Sequence, residues 1–304
     1  MKRIKIMLVT LLTLSLTGCN QSDYRRATKL QKEGNYEEAI QIYNGLEDYK
    51  ESKQNIVYCN EMIDLTNKFN EIQDYLNTNN PHFYELIATA DDLVKDNKPM
   101  LDETLMSKLE TANATCKSKK QEPCDLPESR EALEDVLNAY GNVDYSQEQN
   151  NLEDLINQVN TSIKQYELVF NPSEQYLIQC LENVSEINGI SAATEETDSN
   201  NLLHKPNGYT AKIFYSENVL HPNGVDQGSI IENGTDGGGS IEAYETVEGA
   251  TKRNDYLSTF DGSFFDSGSH TVIGSIIIRT SKKLTATQQK ELTQAIIDQL
   301  TKVE

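Results

Sequence analysis

Apolar residues between positions 24 and 185 recur at intervals of three and four, the period of an amphipathic helix. Ala27, Leu30, Tyr36, Ala39, Tyr43 and Leu46 mark two short helices joined at Gly34-Asn35. Small side chains at Ala27 and Ala39 let the pair approach closely, while Leu30, Tyr36 and Tyr43 fill the groove between them. Ile56, Cys59, Ile63, Ile72 and Leu76 hold one stripe from Lys50 to Thr78. Asn79-Asn80-Pro81 reads as its stop, because proline suits the first turn of a new helix. Further stripes run through Phe83 to Val94, Leu101 to Leu109, Leu133 to Tyr140, Leu152 to Phe170 and Tyr176 to Val184. Residues 24–185 are thus predicted to form an antiparallel helical bundle or an elongated helical stalk.

From Glu186 to Gly208 no apolar period survives, and Pro206-Asn207-Gly208 is turn chemistry, so 186–208 reads as a linker. Beyond it the period changes. Thr210–Tyr215 and Ser240–Tyr244 have strand character, and Ser229–Ile231 is a weaker strand candidate. Thr246 is placed to cap a helix carrying Ala250, Leu257 and Phe260. Thr271–Thr280, with Val-Ile-Gly-Ser-Ile-Ile-Ile inside it, is expected to be a central strand buried on both faces. Thr285 and Gln288 form a capping box for a last helix. The expected fold class is α+β: an N-terminal all-α bundle or stalk over 19–185, followed by a small β-β-α-β-α domain over 209–304.

At the front, Lys2, Arg3 and Lys5 precede an apolar run from Ile6 to Leu16. That run is too short for a bilayer, which needs roughly 20 residues, and reads as a signal segment. It closes on Leu16-Thr17-Gly18-Cys19, which resembles the lipobox of bacterial lipoproteins. The resemblance implies a signal peptide at 1–18, cleavage before Cys19 and a lipid on its sulfur. The protein would then be anchored at the extracytoplasmic face of the cell membrane, its first partner the membrane itself. Three of the 27 basic residues and none of the 48 acidic ones precede Cys19, leaving 24 against 48, a formal charge of −24. Such a chain repels nucleic acid and offers no basic stripe for counterion release. Four other cysteines remain, at 59, 116, 124 and 180. Outside the cytoplasm an even count permits disulfides, and only Cys116 and Cys124 are close in sequence; free buried thiols are the other reading.

The first helical pair resembles a tetratricopeptide-type hairpin, and Tyr49-Lys50-Glu51-Ser52 resembles a YKxS element that opens the next helix in Gram-positive surface proteins. A single copy implies a capping or adaptor unit, since solenoids need three or more repeats. Gly237–Tyr244, Ala250, Arg253, Tyr256-Leu257, Phe260-Asp261-Gly262, Ser267–Val272 and Arg279-Thr280-Ser281 together resemble a C-terminal module of Gram-positive surface and membrane proteins, of the kind often labelled EbhA-like. That resemblance carries a boundary and a localisation, and no activity.

Gly234-Thr235-Asp236-Gly237-Gly238-Gly239-Ser240 lacks the lysine of a P-loop and leads into a strand, so it reads as a connection ahead of a ligand loop. Lys117–Lys120 reads as a solvated helix end. The loop from Asp261 to His270 is the remaining candidate: Asp261, Phe264, Phe265, Asp266, Ser269 and His270 combine aromatic rings, carboxylates, a hydroxyl and an imidazole able to grip a sugar or peptide. Catalysis by Ser269 and His270 is disfavoured, because adjacent residues on a strand point apart and no G-x-S-x-G, S-x-x-K or H-E-x-x-H motif occurs. His82, His204 and His221 are scattered, and neither a metal nor a cofactor is implied. The expectation is a non-enzymatic binding or scaffold protein of the cell envelope with an envelope protein or cell-wall partner; the alternative is an envelope enzyme or a solute- or glycan-binding protein using the 261–270 loop.

Overall fold

A computed structural model describes residues 20–225, 228–263 and 268–303. The signal segment 1–18, Cys19 and the loop residues Phe264, Phe265 and Asp266 lie outside them. In chain order the helices α1 (Asn20–Lys32), α2 (Tyr36–Asn44), α3 (Ser52–Asp96), α4 (Thr104–Lys119), α5 (Arg130–Tyr140), α6 (Ser146–Val169) and α7 (Glu174–Glu182) precede the strands β1 (Ile187–Ala192) and β2 (Ala211–Glu217). Then come α8 (Ile230–Asn233), a 3-10 turn (Gly234–Gly237), β3 (Gly238–Ala243), α9 (Val247–Ser258), β4 (His270–Ile273), β5 (Ile276–Thr280) and α10 (Ala286–Leu300). The fold is α+β, a helical N-terminal part followed by a strand-containing C-terminal region. No helix among the described residues is long and apolar enough to cross a membrane. The chain divides into two compact units: residues up to Glu85 with Lys119–Gln147, and Leu86–Ser118 with Glu148 onward.

In the first unit, α1 and α2 pack through Ala27 and Ala39, both fully buried, with Tyr43, Leu46 and Cys59 completing the core. Tyr24 sits edge-on to Tyr43 at 5.7 Å and to Tyr49 at 5.8 Å. Pro81 does not end a helix as its sequence suggests: α3 runs through it for 45 residues. An interior proline costs about 3 kcal/mol because it removes one N–H and crowds the preceding turn. Side chains on both sides of it hold the helix together here. Asn79 Nδ2 donates to the carbonyl of Tyr75 at 2.8 Å. Tyr145 stacks on Phe83 at 4.4 Å, lies edge-on to Tyr75 at 5.7 Å, and donates its backbone N–H to the Tyr75 hydroxyl at 2.6 Å. Each such aromatic pair adds about 0.5–1.5 kcal/mol beyond its buried area, so two pairs offset much of the proline cost.

The second unit is built on an antiparallel sheet of order β1-β2-β3-β5-β4. Ala211, Ile213, Tyr215, Ile241, Ala243, Ile276 and Ile278 alternate onto one face, which α7 and α10 cover with Leu177, Leu181, Leu292, Ile296 and Leu300. Tyr176 on α7 donates its hydroxyl to the Leu300 carbonyl of α10 at 2.8 Å. The helical stripe at 176–184 therefore belongs to the sheet's core.

Three expectations change accordingly. Residues 186–208 are not a linker. Ile187–Ala192 pair with β2, and Asp198, Leu203 and the adjoining Tyr209 are buried. Ser229–Ile231 opens a short helix, its Ser229 and Glu232 forming a capping box. The apolar run 271–280 is a hairpin, β4 and β5, turned at Gly274-Ser275, with β5 the interior strand buried on both faces. That turn hooks onto the end of α6: Ser275 N–H donates to the Val169 carbonyl at 2.9 Å, and Asn171 N–H to Ser275 Oγ at 2.6 Å. All four cysteines described are free thiols, so the Cys116–Cys124 disulfide is not formed. Cys116 is buried, its thiol donating to the Glu148 carbonyl at 3.8 Å, while Cys124 is exposed.

Gly274 has φ +55°, and a Cβ there would meet the Val169 carbonyl oxygen at 2.4 Å. Gly141 has φ +60° but open space around it. Gly274→Ala is expected to cost about 2–3 kcal/mol in denaturant unfolding and Gly141→Ala about 1 kcal/mol; equal losses would show that the hook contributes nothing. A 209–304 fragment lacks β1 and α7 and is expected to give no cooperative thermal transition by circular dichroism, since it keeps α10 but loses the edge strand and the α7 half of the cover on its apolar face. A two-state melt for that fragment would contradict the shared core.

Candidate ligand site on the open sheet face

The second face of the sheet carries charge where the first carries isoleucine. Strand alternation forces this: Lys212 follows Ala211 and precedes Ile213, Glu242 lies between Ile241 and Ala243, and Arg279 follows Ile278. Lys212 pairs across β2 and β3 with Glu242, and Phe214, Ser240 and Arg279 form the next cross-strand row. All five side chains therefore share one face. Helix α9 lies over part of it, with Ala250 and Leu257 packing on Ile277, Tyr209 and Tyr244.

Glu242 is the centre of the cluster and has no exposure. Arg253 of α9 grips it as a fork, Nε to Oε2 at 2.9 Å and Nη2 to Oε1 at 3.2 Å. Arg279 Nη1 adds a third bond at 3.2 Å, the Tyr244 hydroxyl a fourth at 3.1 Å, and Lys212 Nζ stands 3.7 Å away. Burial alone would raise the Glu242 pKa, but the two guanidiniums and Lys212 outweigh it and hold the carboxyl below its usual value. Burial likewise lowers Lys212, opposed by Glu242 and Asp198. Lys212 Nζ lies 3.5 Å from Asp198 and over the rings of Tyr209 and Phe214 at 5.0 and 5.1 Å. Asp198 accepts the Tyr209 hydroxyl and the backbone N–H groups of Leu202 and Leu203, at 2.7 and 3.0 Å. Burial raises its pKa, and these donors with Lys212 overcome that and bring it down to about 2.

A cavity of about 750 Å³ opens beside the cluster. Lys212, Arg253 and Arg279 reach it, as do Phe214, Tyr256 and Phe260. This is within the size range of small-molecule sites, roughly 300–1,000 Å³. Tyr256 and Phe260 meet edge to face at 5.2 Å, and the Arg253 guanidinium lies 5.4 Å from the Tyr256 ring centre. Ser240 Oγ, fully buried in the row between Phe214 and Arg279, has no hydrogen-bond partner.

Of the loop residues singled out by sequence, the structure brings Asp261 and His270 together: His270 Nε2 meets Asp261 Oδ1 at 3.1 Å, and Nδ1 meets Asn254 Oδ1 at 2.7 Å. Ser269 is directed elsewhere, its Oγ 2.6 Å from Thr280 Oγ1. His270 is the cross-strand neighbour of Arg279 but does not line the cavity. No group of three or more potential metal ligands occurs among the described residues. Sequence reasoning passed over Asp198, Lys212, Glu242 and Arg279 as site residues. The available signal was parity: a charge standing alone at an inward position of an otherwise apolar strand needs a buried partner.

Asp198 supplies a pH test. Its folded pKa is below the unfolded value of about 3.9, so the stability it contributes is present above pH 4 and is lost as pH falls toward 2. The shift corresponds to about 2–3 kcal/mol. Asp198→Asn is expected to lose about that much at pH 7 and to converge on the wild type near pH 2, followed by urea unfolding at both pH values. A difference that stays constant with pH would remove Asp198 from the acid-labile network.

No family model, no curated protein and no solved structure matches the chain.

Proposed function

We propose that the chain is a non-enzymatic binding protein of the cell envelope, lipid-anchored through Cys19 on the extracytoplasmic face of the membrane. In this reading the second unit takes up its partner, an envelope protein or cell-wall component, on the open sheet face. The observation that carries it is the cavity where Lys212, Arg253 and Arg279 converge beside aromatic walls. Polar groups gathered from separate elements around a concave apolar surface are the usual form of a ligand site. Anchoring rests on Leu16-Thr17-Gly18-Cys19 after a short apolar run. Two or three acyl chains, at about 0.8 kcal/mol per buried CH₂, make a lasting tether. The hairpin formed by α1 and α2 then serves as an adaptor near the tether, a role that rests on the tetratricopeptide-type resemblance of its sequence.

An envelope enzyme using the 261–270 loop is the competing reading. The Asp261–His270 contact favours it, since an acid oriented on an imidazole is one part of a general-base arrangement. The pairing of Ser269 with Thr280 weighs against it, because the hydroxyl that would serve as nucleophile is turned to a different partner.

Cys19→Ala is expected to give an unprocessed precursor or a shed protein, while the wild type partitions into detergent and takes up labelled fatty acid. Wild-type protein that remains aqueous would refute the anchor. For the site, the full chain immobilised through its C-terminus should retain an envelope protein or cell-wall fragment, with retention lost in Tyr256→Ala, at a half-exposed side chain of the cavity wall, and kept in His270→Gln. Turnover of an envelope substrate abolished by His270→Gln would favour the enzyme.

A further inference from the structure

We propose that the first unit carries a second membrane contact: the cationic stripe of Arg25, Lys29 and Lys32 along α1, with Lys50 beside it, docks on anionic phospholipid headgroups and lays α1 along the bilayer surface. This goes beyond the ligand site and rests on the reading of Cys19 as the lipid anchor.

The stripe follows from helical spacing. Positions 25, 29 and 32 stand four and then three residues apart, so their side chains share one face of α1. Ala27 points the opposite way and is fully buried against α2, which turns the stripe outward. Lys50 reaches the same surface from the turn ahead of α3, its Nζ 4.8 Å from the centre of the Tyr24 ring and 5.6 Å from that of Tyr49. Tyr24, Arg25, Thr28, Lys29, Lys32 and Lys50 together line a shallow hollow of about 360 Å³. All four cations are exposed.

The charge around them is set apart from the rest of the chain. Helix α1 holds Arg25, Arg26, Lys29 and Lys32 against the single carboxylate of Asp23, a local charge of +3 in a sequence whose formal charge is −21. Acids that follow are engaged elsewhere or held loosely. Glu51 accepts the Tyr24 hydroxyl at 2.7 Å and Asp48 pairs with Lys53. Glu33 meets Lys29 at 3.7 Å, a pair exposed on both sides and therefore weak.

The place of the stripe names its partner. Helix α1 opens at Asn20, the residue after Cys19. At 1.5 Å per residue, Arg25 stands about 9 Å and Lys32 about 20 Å along the helix from the anchor. Charge interactions fade over about 8 Å at physiological salt, so an upright α1 would carry Lys32 out of reach, and only a helix lying on the surface brings the whole stripe to the headgroups. A tether this short holds the cations at the surface at a roughly millimolar effective concentration. Attraction too weak to recruit the free acidic protein is then enough to orient the anchored one. Each cation brought to an anionic surface strengthens the contact about fivefold.

The experiment reconstitutes the processed, lipidated full chain into vesicles of phosphatidylcholine, with and without about one-third phosphatidylglycerol, and follows the acetylation rate of individual lysines by mass spectrometry. Lys29, Lys32 and Lys50 are expected to react about fivefold more slowly on the anionic vesicles. About 1 M salt, where the screening length falls to about 3 Å, should restore their rates. Lys252 on α9, an exposed side chain of the second unit, should react equally on both and serves as the internal reference. In the triple variant Arg25→Gln, Lys29→Gln, Lys32→Gln, at three exposed positions where folding is unaffected, Lys50 should lose its protection. Equal rates on the two vesicles, protection of Lys252 to the same extent, or protection of Lys50 that survives the triple change overturns the proposal. Protein that floats with neutral vesicles yet labels equally on both leaves the anchor standing and removes the docking surface. Protein that does not float with neutral vesicles refutes the anchor, and the proposal falls with it.

Discussion

Glu242 is a carboxylate with no access to water, on the middle strand of a five-stranded sheet. An isolated buried charge is so costly that the group would take up a proton instead. It stays ionised only because Lys212 from β2, Arg279 from β5 and Arg253 from α9 reach it together. The register of β2 against β3 and of β3 against β5 is thereby fixed by charge as well as by apolar pattern, since a slip of one residue would send Lys212 or Arg279 into the isoleucine face. The position of α9 is fixed in the same way. Removing any one cation would leave charge unbalanced in a low-dielectric setting, typically a loss of 3–5 kcal/mol. Asp198 extends the constraint to a segment with little apolar content. Its carboxylate accepts from Leu202, Leu203 and Tyr209 and lies beside Lys212, so the turn at 198–209 is ordered by hydrogen bonds where hydrophobic burial is sparse.

The first unit solves a different problem by aromatic packing. A helix of 45 residues with a proline inside would be expected to break. Here Tyr75 lies six residues before Pro81 and Phe83 two after it, and both rings lie against Tyr145. A contact shared by side chains on both sides of the weak point resists the kink that either alone would permit. Asn80 reinforces it, donating through Nδ2 to the Gln121 carbonyl at 2.8 Å. The proline is tolerated because of residues 40 and 64 positions away in sequence.

That distance explains what could be read beforehand. Features written within about a dozen residues were legible: the Thr285–Gln288 capping box, the Thr246 cap, the turn at Gly34 and the Ala27–Ala39 approach all occur as the chain suggests. Features that depend on distant partners were not. Ile187 and Ile190 stand among polar neighbours and make a strand only because β2 offers an edge. The loop Thr194–Asn201 reads as solvated, yet Asp198 within it is buried by contacts with residues 202–212. The charged cluster draws on positions 198, 212, 242, 253 and 279, each of which alone resembles an ordinary surface charge. Only the parity of Lys212 and Glu242, inward on strands that are otherwise apolar, hinted that they share a face.

The contrast between the site and the chain around it bears on how a ligand would arrive. The whole sequence has a formal charge of −21, which should repel anions from a distance. At physiological salt, however, the field of exposed carboxylates decays within about 8 Å, whereas charges inside the fold are screened much less. An approaching monoanion therefore meets little long-range attraction and a strong local one. A polyanion pays the repulsion once for each of its charges. The acidic surface and the cationic cavity act together as a filter on charge number. The filter does not accelerate encounter, so any gain in affinity from this arrangement falls on the dissociation rate.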